Sequence, residues 1–193
     1  MRKEEHLDYT GLQAKLAGGC QVTFKTIYDG LSNQLYQFSF SIVHNREIAE
    51  EVVQDVFTQL WHHRNRLDPI INIRFWLFVA TRNAALSQLR KQNHNRSFSL
   101  EEIKLPFWKI EASPEDIYIT KELLHRINLA VNNLPQQCRL VFKLVKQDGL
   151  KYREVAELLQ IQVKTVENHV ALAMKRLHAA LPPGEINQKS STG

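Results

Sequence analysis

Between Tyr152 and Leu177 the chain reads YREVAELLQIQVKTVENHVALAMKRL, and Gln162, Lys164, Thr165, Glu167, Asn168 and His169 cluster around the start of its second apolar repeat. Such side chains can read base edges. An Asn amide pairs bidentately with adenine, a Glu carboxylate accepts from cytosine, and a Lys ammonium binds guanine or phosphate. One good bidentate pair supplies ~1–3 kcal/mol of discrimination. Lys175, Arg176 and His178 follow at the far end of the repeat. They suit phosphate, although a basic helix end also complements the helix dipole with no DNA present.

A second concentration of chemistry lies between Arg74 and Lys91, where Arg74, Arg82, Arg90 and Lys91 alternate with Phe75, Trp76 and Phe78. Cations beside aromatic surfaces suit an unpaired strand, whose bases stack on rings while its phosphates meet the charges. The plain alternative is an aromatic core under an ordinary basic surface. A third group, Glu50, Glu51, Gln54, Asp55 and Gln59, forms a polar and largely acidic helix face, which is a solvated surface in most proteins.

Catalytic chemistry finds no footing. The chain has no phosphate-binding glycine loop, no nucleophile motif and no carboxylate pair with a site around it, and His62, His63 and His94 do not follow metal-ligand spacing. The adjacent histidines read as cations or polar surface at a helix end. We expect no enzymatic activity, no cofactor and no metal.

The elements that hold these groups are expected to be helical throughout, because three- and four-residue apolar spacings recur and alternation is rare. Phe24, Ile27, Tyr28, Leu31, Leu35 and Phe38 form one stripe. Ile48, Ala49, Val52, Val53, Val56, Phe57, Leu60 and Trp61 form a cleaner one. After the Asp68-Pro69 turn, helical spacing resumes from Phe75 to Leu89 through Trp76, Val79, Ala80, Leu86 and Leu89. Asn83 lies inside that segment, and Asn favours caps and turns, so a break into two short helices is expected there.

From Lys91 to about Ala112 no period is sustained, and Glu101, Glu102, Glu111, Glu115 and Asp116 make the following stretch locally acidic; this reads as a linker. Ser113-Pro114-Glu115-Asp116 carries the signals of a helix start. That helix should run to about Asn133. Pro135 opens another, which Asp148-Gly149 should close with a left-handed cap. Val155, Ala156, Leu158 and Leu159 give the next helix an apolar face. Gln160-Ile161-Gln162 turns the chain, and Val166, Val170, Ala173 and Leu177 anchor the last helix. Small Ala156 permits a close crossing, and Ile161 can plug the corner. This spacing suits a helix-turn-helix, whose second helix is held by its inner face while its N-terminal outer face enters the major groove. A plain helical hairpin with a solvated face is the alternative. The last residues, from about Pro182, read as a disordered tail.

The chain has 193 residues, 44% of them hydrophobic, enough for one ordinary core or two small ones. Its formal charge of +5 is a mild bias towards polyanions. Cys20 and Cys138 stand far apart and outside any Cys-x-x-Cys pattern, as in a reduced cytoplasmic protein. No apolar run suits a signal peptide or a bilayer span, so membrane insertion is not expected.

The string KTVENHV resembles both the DNA-binding module of LuxR-type regulators and region four of extracytoplasmic-function sigma factors. The N-terminal half separates them. A LuxR-type response regulator would carry an α/β receiver, whereas EIAEEVVQDVFTQLWHHRNRL followed by FWLFVATRNAALSQLRK resembles region two of the sigma-70 family in its compact extracytoplasmic-function group. The resemblance implies an RNA polymerase sigma factor with two helical domains: an extension over 1–19, region two over 20–92, a flexible linker over 93–112, region four over 113–181 and a tail over 182–193.

By that resemblance Glu51, Gln54, Asp55, Phe57, Leu60 and Trp61 become candidate contacts to the β′ clamp helices of core polymerase, with Phe57, Leu60 and Trp61 equally suited to core packing. Arg74, Trp76, Arg82, Asn83, Arg90 and Lys91 would serve the promoter element nearest the start site. Asn83, seven residues after Trp76, matches the position that reads a flipped base; capping a helix that begins at Ala84 is its ordinary alternative. Gln162, Lys164, Thr165, Glu167, Asn168, His169, Lys175 and Arg176 would serve the distal upstream element. The linker acids would lie towards the polymerase active centre, or act as a plain solvated tether. Implied partners are core polymerase, including its β flap, promoter DNA, and an anti-sigma factor that could be membrane-bound. The chain departs from the family pattern in having Lys151 and Gln162 where many members cap a helix with Ser or Thr, and Leu172 where a polar or basic residue is usual, which leaves core, DNA and a protein partner all open as what Leu172 meets.

Overall fold

In the computed structural model, which describes residues 9–66, 72–92 and 121–180, the apolar repeats wind into α-helices. Those in the first half are α1 (Tyr9–Ala17), α2 (Gln21–Val43), α3 (Arg46–His63) and α4 (Ile73–Gln92). Those in the second are α5 (Lys121–Asn132), α6 (Gln136–Lys146), α7 (Tyr152–Leu159) and α8 (Val163–Ala180). The chain divides into two compact units, Met1–Lys104 and Leu105–Gly193. The expected linker, the helix start at Ser113-Pro114, the Asp68-Pro69 turn, His94 and the tail lie outside the described residues.

In the first unit, α2, α3 and α4 pack on one another. Ile27, Leu31, Leu35, Phe38 and Ile42 of α2 bury against Ala49, Val52, Val53, Val56, Phe57 and Leu60 of α3 and its neighbours. Two residues reverse the chain between α2 and α3. His44 takes a left-handed φ of 53° and donates its N–H to the Phe40 carbonyl at 2.9 Å. Asn45 then caps α3, its Oδ1 accepting from the Ile48 N–H at 3.1 Å, a cap worth about 1 kcal/mol. α1, within the stretch read as an extension, packs on α2, α4 and the short 3-10 turn Arg64–Arg66.

α4 departs from expectation twice. It is continuous through Asn83, without the expected break. An interior Asn costs only about half a kcal/mol relative to Ala, and the neighbours Ala80, Ala84, Ala85 and Leu86 are good helix formers. The capping Asn is instead Asn72, whose Oδ1 accepts from the Arg74 N–H at 3.0 Å. The buried face also differs, for Ile73, Leu77, Phe78, Thr81, Ala85 and Leu86 go inside while Trp76, Val79, Ala80 and Leu89 stay half-exposed. The Phe78 ring meets Phe38 at 5.4 Å between centroids.

In the second unit α8 is the hub, packing on α5, α6 and α7. Its Ala173 and Leu177 join Ala130, Val131, Leu134, Cys138 and Phe142 in one apolar cluster. α6 ends as its sequence implies: Gly149 has φ 67°, and the Leu150 N–H returns to the Leu144 carbonyl at 3.0 Å. Beneath this turn Lys143 and Asp148 form a buried ion pair, Nζ to Oδ2 at 2.9 Å, with side chains 6% and 0% exposed. Gln160, at φ 55°, supplies the left-handed corner between α7 and α8, and the Ile161 N–H bonds the Ala156 carbonyl at 2.9 Å. The missing Ser or Thr before α7 is offset by Glu154, whose Oε2 accepts from the Lys151 N–H at 2.8 Å.

Candidate nucleic-acid interface

α7, its corner and α8 form a helix-turn-helix whose outer face follows from helical geometry. Val166, Val170, Ala173 and Leu177 are buried. Opposite them Lys164, Asn168, Leu172 and Lys175 succeed one another at steps of four, four and three, and therefore form one exposed line. Gln162, Glu167 and Arg176 are also exposed. Thr165 and His169 are not fully outward, as expected from sequence, but half-buried on the flank nearer the core.

Electrostatics and hydrogen bonds set this face. Lys164 Nζ meets Glu167 Oε2 at 3.0 Å, so the leading cation is already paired with the carboxylate beside it. Burial holds the His169 imidazole below the usual histidine range, favouring its neutral form. The His169 carbonyl accepts from Cys138 Sγ at 3.0 Å, which ties α8 to α6, and burial raises the Cys138 thiol. At the start of α7, Lys151, Tyr152 and Arg153 are exposed. Sequence reasoning did not name them as candidates for DNA contact. They stand at the start of the first helix, the one that crosses the DNA backbone in motifs of this kind.

In the first unit the outer side of α4 borders α3 along a cleft of ≈ 480 Å³. Trp76, Asn83 and Lys91 line it from α4, Asp55 and Gln59 from α3. The cleft thus joins residues assigned to two different partners from sequence. Asn83 is exposed there, in mid-helix rather than at a helix start, which removes the capping alternative. Gln59, read from sequence as part of the polar face of α3, and Ser87, which was not named, are also in the lining; the signal for Ser87 was its i, i+4 spacing from Asn83. Arg74 and Arg82 lie half-buried, and Arg90 is exposed. Burial, reinforced by Arg90, lowers the Arg82 guanidinium from its ordinary value.

The polymerase candidates separate by burial. Glu51, Gln54 and Asp55 are exposed on α3. Phe57 and Leu60 are 2% and 0% exposed, and Phe57 packs its ring on Phe24 and Tyr28. Of the two roles that the sequence left open for them, burial favours core packing over surface contact, because their spacing from Val53 and Val56 places them on the inner face of α3. Trp61 is half-buried, edge-on to Phe24, with the Arg64 guanidinium 4.3 Å from its ring centroid. That cation–π contact covers part of its surface. No described helix is long and apolar enough to cross a membrane.

Residues 27–95 match the family described as Sigma-70 region 2, and residues 124–177 match Sigma-70, region 4. The chain is 27% identical over 172 residues to the ECF RNA polymerase sigma factor SigW of Bacillus subtilis, covering 84% of this chain and 91% of that protein. It is 26% identical over 158 residues to SigM of the same organism, covering 82% and 94% respectively. Among solved structures, CnrH in complex with the cytosolic domain of CnrY has the same fold. The TM-score is 0.52 at 24% identity, covering 88% of this chain and 94% of that one.

Proposed function

The chain belongs to the sigma-70 family, in its extracytoplasmic-function group, and we propose how its two units divide the work of a sigma factor. The first unit anchors on core RNA polymerase and helps open promoter DNA. The second binds the distal upstream element as duplex. The protein is then a specificity subunit, directing transcription initiation without catalysing it. Two modest contacts carried by one chain reinforce each other through effective concentration.

Within this reading, the exposed Glu51, Gln54 and Asp55 meet the β′ clamp helices. Trp76, Asn83 and Lys91, along one cleft, take the unpaired proximal element, Asn83 reading a base edge that unstacking has exposed. Arg74, Arg82 and Arg90 track its phosphates. Lys164, Glu167 and Asn168 read duplex bases, and Lys175 and Arg176 hold phosphate. The region-two domain is taken as residues 20–92 and the region-four domain as 113–181, tethered by 93–112. The partners are core polymerase, through the clamp helices and the β flap, promoter DNA, and an anti-sigma factor.

The observation that carries the reading is the presence of region two and region four in family order on one chain. A LuxR-type regulator would have no region two to match. Reconstituted transcription tests it. Core polymerase plus this protein should initiate from specific promoters and core alone should not. Tight footprinting on duplex DNA without any specific initiation would sink the sigma reading.

A further inference from the structure

We infer that Leu172 selects thymine in the distal promoter element by packing its side chain on the thymine 5-methyl group. This role depends on the reading of α8 as the helix that enters the duplex groove. Leu172 is 38% exposed. It stands on the outer line of α8, one turn after Asn168 and just before Lys175. An aliphatic group in that position gains nothing from phosphates or from the donors and acceptors of base edges. The apolar feature that a major groove offers is the thymine methyl.

Geometry keeps the side chain within reach. Leu172 lies about 6 Å beyond Asn168 and about 12 Å beyond Lys164 along the helix axis, a span comparable with the major-groove width of about 12 Å. The 6 Å step exceeds one base-pair rise, so Leu172 faces a different pair from the one Asn168 reads. Its surroundings favour DNA over a protein surface. Exposed Ala171 is its apolar neighbour on this face, whereas Asn168, Lys175 and Arg176 are polar or cationic. A stable protein interface takes about 800 Å² from each partner, far more than Leu172, Ala171 and the exposed Ala179, one line position beyond Lys175, present. Cations flanking an isolated apolar group match a thymine methyl between two phosphate backbones.

Transcription by the reconstituted holoenzyme from a promoter library randomised across the distal element tests this. Wild type should enrich thymine at one position. Leu172→Ala and Leu172→Lys should lose that preference while keeping the preference that Asn168 sets nearby. On the best selected promoter, deoxyuridine in place of that thymine deletes only the methyl. It should lower wild-type initiation about three- to fivefold, the worth of one methyl group, and leave Leu172→Ala unchanged. Equal thymine-to-deoxyuridine ratios in the two proteins overturn the inference, as does a Leu172→Ala defect that is uniform across all sequences. If Lys164→Ala and Asn168→Ala also leave the selected sequences unaltered, the reading of α8 itself has failed. If those two shift selection and Leu172→Ala does not, only the role of Leu172 is lost.

Discussion

The two helices proposed to meet DNA are built on opposite plans. α8 buries Val166, Val170, Ala173 and Leu177 and leaves outside a line that is polar apart from Leu172. α4 buries Ile73, Leu77, Phe78 and Ala85, yet still has Trp76, Val79 and Ala80 half-exposed on its other side. The difference follows from the state of the DNA each is proposed to meet. Paired bases show only their edges, which polar side chains read. Unpaired bases show their faces, which call for an aromatic or aliphatic surface. A helix that is apolar on both sides is therefore not badly designed when one side waits for bases.

Breaking the support of α8 should have the largest effect. Asp148→Asn leaves the Lys143 ammonium buried without its counter-charge, and an expected loss of about 3–5 kcal/mol should lower the urea midpoint of the second unit. Unchanged stability would show that water reaches the site. Next comes the exposed side of α4. Trp76→Ala should cost about 1–3 kcal/mol in binding unpaired proximal-element DNA, with polymerase binding and the circular dichroism of the free protein retained. A melted first unit would instead make Trp76 a core residue, and the contrast with α8 would vanish.

Asn83→Ala sharpens the same comparison, because it should impair promoter opening, followed by permanganate reactivity, while core binding survives. Its effect on folding is diagnostic. In mid-helix the substitution should stabilise by roughly 0.5 kcal/mol; a loss near 1 kcal/mol would restore a capping role. The smallest change is expected for Glu167→Gln, which releases Lys164 from an exposed pair worth under about 1 kcal/mol. Affinity for any duplex should rise slightly and discrimination at one position should fall. Titration of selected and scrambled promoters checks both.

Legibility in the sequence followed burial. α3 was read almost completely, since Ala49, Val52, Val53, Val56, Phe57 and Leu60 all face one way and all prove buried. The helix-turn-helix was equally clear, because Ala156, the Gln160 corner and the four anchors of α8 are local features. α4 was misread because Trp76, Val79 and Ala80 obey a helical period as well as Ile73, Leu77 and Phe78 do, and period alone does not say which face meets α2. The α2–α3 reversal was missed because it turns on a left-handed residue that is not glycine, His44, and non-glycine residues seldom adopt that conformation.

By itself, then, the sequence determined the all-helical class, the motif at its C-terminal end, the family resemblance and the residue types offered to DNA, since each depends on spacing along a single helix. Tertiary structure alone decided which side of α4 is core and that Asp55, Trp76, Asn83 and Lys91 share a cleft. Those are facts about neighbouring helices. They depend on which faces are covered when α2, α3 and α4 close on one another, and the periodicity of one helix does not carry that information.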